Sequence, residues 1–242
     1  MPTDFVAKQV AEMSAEGYPL VDDGTWCEVK PHVDPSGTAG RPGLFLDRDG
    51  VVVEEVIYLH KPDEVALIPG AARIIAAANA AGVPVVLVTN QSGVGRGYYT
   101  WADFRATQTR VEQELAGEGA RLDMVVACPF TPGGEGPYRH PDHLDRKPNP
   151  GMLLRGQRCL GLDLSRSWIV GDRGLDIQAG RRAGLAGGVH VATGFGTDPD
   201  ERREALAQAR DGVAQAASQG EGYRVLTAPA ISETMSILER LR

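Results

Sequence analysis

Cysteine is scarce in this chain: Cys27, Cys128 and Cys159 are the three among 242 residues. So few, set so far apart, exclude the disulfide framework on which small secreted domains depend. Long apolar runs are missing too, and without about 18 consecutive apolar residues no membrane-spanning helix is expected. The first residues, Met1-Pro2-Thr3-Asp4-Phe5, lack the basic-then-apolar order of a secretory signal. Positive charge is in deficit: 25 Lys and Arg stand against 32 Asp and Glu, for a net charge of −7. Proteins that hold nucleic acid carry basic faces, so this balance speaks against such a partner. A small anionic ligand remains compatible, because it needs only a local positive site. The expectation is a reduced, cytoplasmic chain with neither membrane nor nucleic-acid partners. Its length suffices for a sizeable core in one α/β domain.

What the chain does have is a set of acids and small polar residues at the ends of apolar runs. Leu44-Phe45-Leu46 leads into Asp47-Arg48-Asp49-Gly50. The apolar run reads as a buried parallel strand, and Gly50 lets the chain turn away at its end. An acid pair at the carboxyl end of such a strand is placed for chemistry, one carboxylate attacking while its neighbour handles protons. Taken alone, the segment also fits a solvated turn, since Asp and Gly are common turn residues. Val85-Val86-Leu87-Val88 leads into Thr89-Asn90-Gln91-Ser92-Gly93, where a hydroxyl and free backbone N–H groups suit a phosphoryl oxygen. An ordinary strand-to-helix cap would use the same residue types. Arg146-Lys147-Pro148 precedes a helix; the lysine can neutralise phosphate or stand on the surface. Trp168-Ile169-Val170 leads into Gly171-Asp172-Arg173-Gly174-Leu175-Asp176, and two acids there suit a hard cation such as Mg²⁺ or the capping of a helix.

The apolar periodicity divides the chain. Residues 1–42 read as a leader, with a short amphipathic helix around Phe5, Val6, Val10 and Met13 and a linker over 35–43. Residues 43–242 read as one domain, with the motifs between 44 and 196 and C-terminal helices with a short strand over 197–242. Strands are expected over 44–46, 83–88, 124–127, 168–170 and 189–191. Helices are expected over 71–81, 101–117, 150–160, 177–183 and 199–217, then a strand over 223–226 and a helix over 231–241. This alternation predicts an α/β fold with a central parallel sheet and helices on both faces. The segment 51–69 is too short for a large cap domain.

The motifs in this order, Asp47-Arg48-Asp49-Gly50, Thr89, Lys147 and Gly171-Asp172-x-x-x-Asp176, resemble those of the haloacid dehalogenase superfamily of phosphotransferases. Thr89 to Gly97, Cys128-Pro129, Arg146-Lys147-Pro148-x-Pro150-Gly151-Met152 and Ile57-Tyr58 further resemble its D-glycero-D-manno-heptose 1,7-bisphosphate and histidinol phosphatases. The likeness covers about residues 43–196. It implies a Rossmann-like three-layer sandwich and a Mg²⁺-dependent phosphatase acting on a small phosphorylated sugar. A histidinol-phosphate or other phosphometabolite phosphatase, or a sugar-phosphate-binding protein without turnover, are the rival readings. The resemblance makes Asp47 the nucleophile and Asp49 the general acid and base. Asp47, Asp172 and the backbone of Asp49 become Mg²⁺ ligands, with Asp176 behind them. Thr89, Asn90, Arg96, Arg146 and Lys147 become phosphate or substrate contacts. In one place the sequence departs from the pattern. Of the usual structural-zinc ligands Cys128 is kept, but Phe130, His143 and Asp145 stand where a histidine and two cysteines belong. Zinc on Cys128, His140, His143 and Asp145 is conceivable, but a zinc-free loop held by packing is the expectation.

Overall fold

A computed structural model describes residues 17–21, 24–215 and 222–241. Its strands are β1 (Trp26–Val29), β2 (Leu44–Leu46), β3 (Val85–Asn90), β4 (Met124–Cys128), β5 (Trp168–Gly171), β6 (Gly187–Val191) and β7 (Arg224–Ala228). They form one sheet in the order β1-β4-β3-β2-β5-β6-β7. All neighbours run parallel except β1, which pairs antiparallel with β4. The longer helices are α1 (Ala71–Ala80), α2 (Trp101–Gly117), α3 (Gly151–Leu160), α4 (Gly174–Arg182), α5 (Pro199–Gln215) and α6 (Ser236–Arg240). Every residue of β2, β4 and β5 is buried. Because successive side chains point to opposite faces, both faces of the sheet are covered, as a three-layer α/β sandwich requires. No helix among the described residues is long and apolar enough to cross a membrane.

Local chemistry explains the element ends. Thr100 caps α2 by accepting from the Asp103 N–H, while the Asp103 carboxylate accepts from the Thr100 N–H. Gly161, at φ +67°, closes α3 in the left-handed conformation. Gly50, at φ +79°, turns the chain after the acid pair, and a Cβ there would collide with the Asp172 carboxylate and the Gly194 backbone.

Several boundaries differ from those expected. The stretch read as a leader supplies β1, an edge strand. Its four residues, between Gly24 and Pro31, are too few to show a period of two. The proposed linker holds one helical turn, Pro35–Thr38, capped by Asp34. The helix expected around residues 5–13 lies outside the described residues. Strand β3 reaches Asn90, and α4 begins at Gly174, so both site motifs are built into regular structure. At the chain end a 3₁₀ turn, Ile231–Glu233, precedes α6, because the Thr234 hydroxyl donates back to the Ile231 carbonyl and interrupts the helix. The segment 51–69 forms a strap across the sheet's carboxyl edge, tied by bridges from Val53 to Asp49 and Leu67.

Trp26 anchors β1 to the core. It is buried and packs on Trp101 and Phe104, with ring centroids 5.6 and 5.2 Å away. Trp26→Ala should therefore cost about 3–5 kcal/mol in a urea unfolding experiment. A loss under about 1 kcal/mol would mean that β1 is a dispensable appendage.

Candidate active site

Strand register brings the motifs together. Leu46 lies opposite Leu87 on one side and Val170 on the other, and the Asp47 N–H donates to the Val170 carbonyl at 3.0 Å. The carboxyl ends of β2, β3 and β5 thus open side by side, with β3 and β4 to one side of β2 and β5 and β6 to the other. That reversal of strand order leaves a crevice, the usual ligand site of open parallel sheets. Here it is a cleft of about 320 Å³ lined by Asp47, Asp49, Glu55, Thr89, Arg146, Lys147 and Asp172, among others.

Lys147 sits at the floor. Its Nζ lies 2.8 Å from Asp47 Oδ1 and 2.7 Å from Asp176 Oδ1, and it donates to the Val88 carbonyl at 2.9 Å. Burial alone would lower its pKa, but Asp176 and Asp47 hold the ammonium above its ordinary value. Asp176 also accepts from the Arg173 N–H at the start of α4, so both of its oxygens are committed. Asp172 accepts from the Phe195 N–H through Oδ2, whereas its buried Oδ1 has no hydrogen-bond partner. Burial and then Asp47 and Asp176 push Asp172 up to about 9. Burial likewise raises Asp47 to about 7, against the pull of Lys147. Oxygens of Asp47, Asp172 and Asp176 all lie within 4.8 Å of one another. Three buried carboxylates against one ammonium, with one oxygen left unpaired, are a donor set suited to a hard divalent cation.

Beside this cluster lies a network that the motif reading missed. Arg48, buried, grips both oxygens of Asp49 at 3.1 Å through Nε and Nη2. Gln91 donates to Thr89 Oγ1 at 2.7 Å and to Asp49 at 3.3 Å, and accepts from the Tyr99 hydroxyl. Arg48 and Gln91 stand inside the quoted motifs. A charged residue between two acids of one strand end was the available signal for Arg48; Tyr99 had none. Glu55 also lines the cleft, and burial followed by the nearby Asp49 and Asp47 raises it to about 7.

The remaining expected residues take different places. Asn90 spends its amide on the Lys147 backbone, accepting from the N–H at 3.0 Å and donating to the carbonyl at 3.1 Å, so it fixes the lysine's loop. Arg146 lines the cleft and donates to the Phe130 carbonyl; burial and then Arg96 and Arg173 lower its pKa. Arg96 lies outside the cleft lining and reaches toward the Gly133 carbonyl at 3.5 Å. In the loop where zinc ligands are altered, Phe130 stacks on His143 at 3.7 Å and meets Tyr138 and His140 edge-on. Asp145 pairs with Arg155 and accepts from the Thr25 hydroxyl.

A parallel sheet with an acid pair at the end of its central strand, a buried lysine from a later loop and further acids on the next strand defines the haloacid dehalogenase-like hydrolases. Residues 144–217 match the family model described as HAD-hydrolase-like. A D-glycero-β-D-manno-heptose-1,7-bisphosphate 7-phosphatase of Mesorhizobium japonicum is 46% identical over 185 residues, covering 74% of this chain and 82% of the relative. A HAD-like phosphatase structure from Mesorhizobium loti superposes with a TM-score of 0.74 at 40% identity, over 93% of this chain and 96% of that one. A D,D-heptose 1,7-bisphosphate phosphatase of B. bronchiseptica, solved with magnesium and phosphate, gives 0.65 at 33% identity, over 83% and 99%. The chain belongs to the heptose-1,7-bisphosphate phosphatase family of HAD-like hydrolases.

The raised acids set a pH test. The folded chain keeps protons that the unfolded chain has released once pH passes about 4. Their stabilising contribution is full below that point and is lost as pH climbs through about 7 for Asp47 and about 9 for Asp172. In metal-free buffer the urea midpoint should fall between about pH 6 and 9, and Asp172→Asn should flatten the fall. An unchanged slope would contradict the cluster.

Proposed function

We propose that this chain is a Mg²⁺-dependent phosphatase of the cytoplasm that hydrolyses a small sugar phosphate, first among them D-glycero-D-manno-heptose 1,7-bisphosphate, through an aspartyl-phosphate. The observation that carries this reading is Lys147 set between Asp47 and Asp176, beside the unpartnered oxygen of Asp172. The names of the relatives supply the substrate. Asp47, Asp172 and the backbone carbonyl of Asp49 would hold Mg²⁺, with Asp176 supporting them. When bound, the ion offsets charge on the phosphoryl oxygens.

A phosphate monoester is a dianion that repels a carboxylate, so the reaction depends on fixed positive charge near Asp47. Lys147 supplies it, held by the Asn90 clasp on its backbone. Asp47 bonds to phosphorus as the bond to the sugar oxygen breaks. Asp49, held by Arg48 and Gln91 in the resting site, takes up a proton from solvent on leaving them and gives it to that oxygen. Water then attacks the aspartyl-phosphate and passes its proton to Asp49, and phosphate leaves with Asp47 restored. Thr89 offers a hydroxyl to the phosphoryl group, and Arg146 grips the far part of the substrate.

Phosphate release with Mg²⁺ from a panel including heptose 1,7-bisphosphate and histidinol phosphate is the test, with preference for the bisphosphate expected. Preference for histidinol phosphate would overturn the substrate. Asp47→Asn should lower kcat at least about 10³-fold while the far-ultraviolet circular dichroism stays unchanged. Chelation should stop turnover, and added Mg²⁺ should restore it.

A further inference from the structure

Two of the three cysteines meet across the fold. Cys27 stands on β1 and Cys159 near the end of α3; both are free thiols and both are half-buried. Their sulfurs are hydrogen-bonded to one another, although β2, β3, β4, α1 and α2 lie between them in the chain. Arg158 and Arg155 stand by Cys159, and Arg155 and Asp145 lie within electrostatic reach of Cys27. The hydrogen bond from Cys27, then Arg158 and Arg155, hold the Cys159 thiol below its ordinary value against the effect of burial. The same hydrogen bond, and then burial, push Cys27 up. One thiol thus keeps its proton beside a sulfur that carries charge. A low-pKa sulfur, partly open to water and next to a second thiol, is the arrangement that oxidants select. Cys128, by contrast, is fully buried at the end of β4.

We propose that Cys159 and Cys27 are a reversible modification site, at which a peroxide joins the two sulfurs and so fastens β1 to α3. The Cys159 thiolate attacks the peroxide: an S–O bond forms, the O–O bond breaks, and the departing oxygen takes a proton from solvent. The Cys27 sulfur then attacks Cys159: the S–S bond forms, the S–O bond breaks, and hydroxide leaves with the Cys27 proton as water. Two electrons pass from the pair of sulfurs to the peroxide, and a dithiol reductant returns them. The bond reinforces a seam that is already present. Thr25, beside β1, donates to Asp145, and Arg155, one turn before Cys159 on α3, pairs with the same carboxylate. Strand β1 is an edge strand, held by pairing with β4 alone. A covalent tie there closes the chain between residues 27 and 159 and takes conformational freedom from the unfolded state. In a reducing compartment such a bond is transient and reports the oxidant. The site stands apart from the cleft and does not rest on the phosphatase reading.

In the experiment the full chain is reduced, exposed to hydrogen peroxide, quenched with iodoacetamide in urea, digested and analysed by mass spectrometry. A peptide pair joining Cys27 to Cys159 within one chain is expected, with Cys128 recovered in alkylated form. The oxidised chain should melt about 5–15 °C above the reduced one, and dithiothreitol should remove the difference. Both forms are the wild-type chain, so this comparison needs no variant to fold. Under peroxide, Cys27→Ser should leave Cys159 as a sulfenic acid that dimedone labels, whereas Cys159→Ser should leave Cys27 unlabelled. Thiols that survive the peroxide, a bond that involves Cys128 or a second chain, or equal melting temperatures in the two forms would overturn the proposal. So would dimedone found on Cys27 in place of Cys159.

Discussion

The ammonium of Lys147 has almost no contact with water, and it meets Asp47, Asp176 and the Val88 carbonyl at once. A buried ion of this kind is costly unless its partners are near and aligned. That requirement disciplines the whole carboxyl edge. Strand β2 must end where Asp47 can reach the lysine, β3 must present the Val88 carbonyl, and α4 must begin where Asp176 can both cap it and face inward. Asn90 holds the lysine's backbone from the end of β3, so the loop cannot drift without breaking two more hydrogen bonds. Three carboxylates that would otherwise repel one another are thereby gathered into the donor set that makes the crevice a site.

Among the described residues, the second polar network meets the first at the acid pair, where the Arg48 N–H donates to Asp47. Arg48 and Gln91 hold Asp49 as Lys147 holds Asp47, so two neighbouring carboxylates of one strand end stand in different electrostatic settings. The first is buried against a lysine, and the second is clasped by a guanidinium and an amide at the cleft wall. The strap then adds Glu55, whose carboxyl belongs to neither network.

Much of this was legible from local sequence. The apolar runs ending in Asp47, Thr89 and Asp172 gave the strands and their carboxyl ends, because buried parallel strands announce themselves as continuous Val, Ile and Leu. Those ends marked Asp47, Asp49, Thr89 and Asp172 as candidates, while the place of Lys147 came from the family resemblance. What local sequence could not carry was commitment to distant partners. Asn90 looked available to a phosphoryl group, yet its amide is used 57 residues away, on Lys147. Arg96 sat in a Gly-rich motif, but its side chain turns to the Gly133 loop. Strand β1 was invisible because four residues are too few to show an apolar period. The isolation of Glu55 is a property of everything around it, and no spacing encodes it.

Strand β1 also has a temporal consequence. Its first residue, Trp26, pairs with Ala127, and Thr25 beside it bonds Asp145 in the lysine's own loop. During synthesis β1 emerges early, but its partner strand follows about 100 residues later. At ribosomal speeds of about 5–20 residues per second, that is an interval of about 5–20 s in which Trp26 lacks its β4 partner, and of its ring neighbours only Tyr18 precedes it in the chain. The edge made first is thus seated late, and the nascent chain carries an exposed indole until β4 and the loop beyond it leave the exit tunnel.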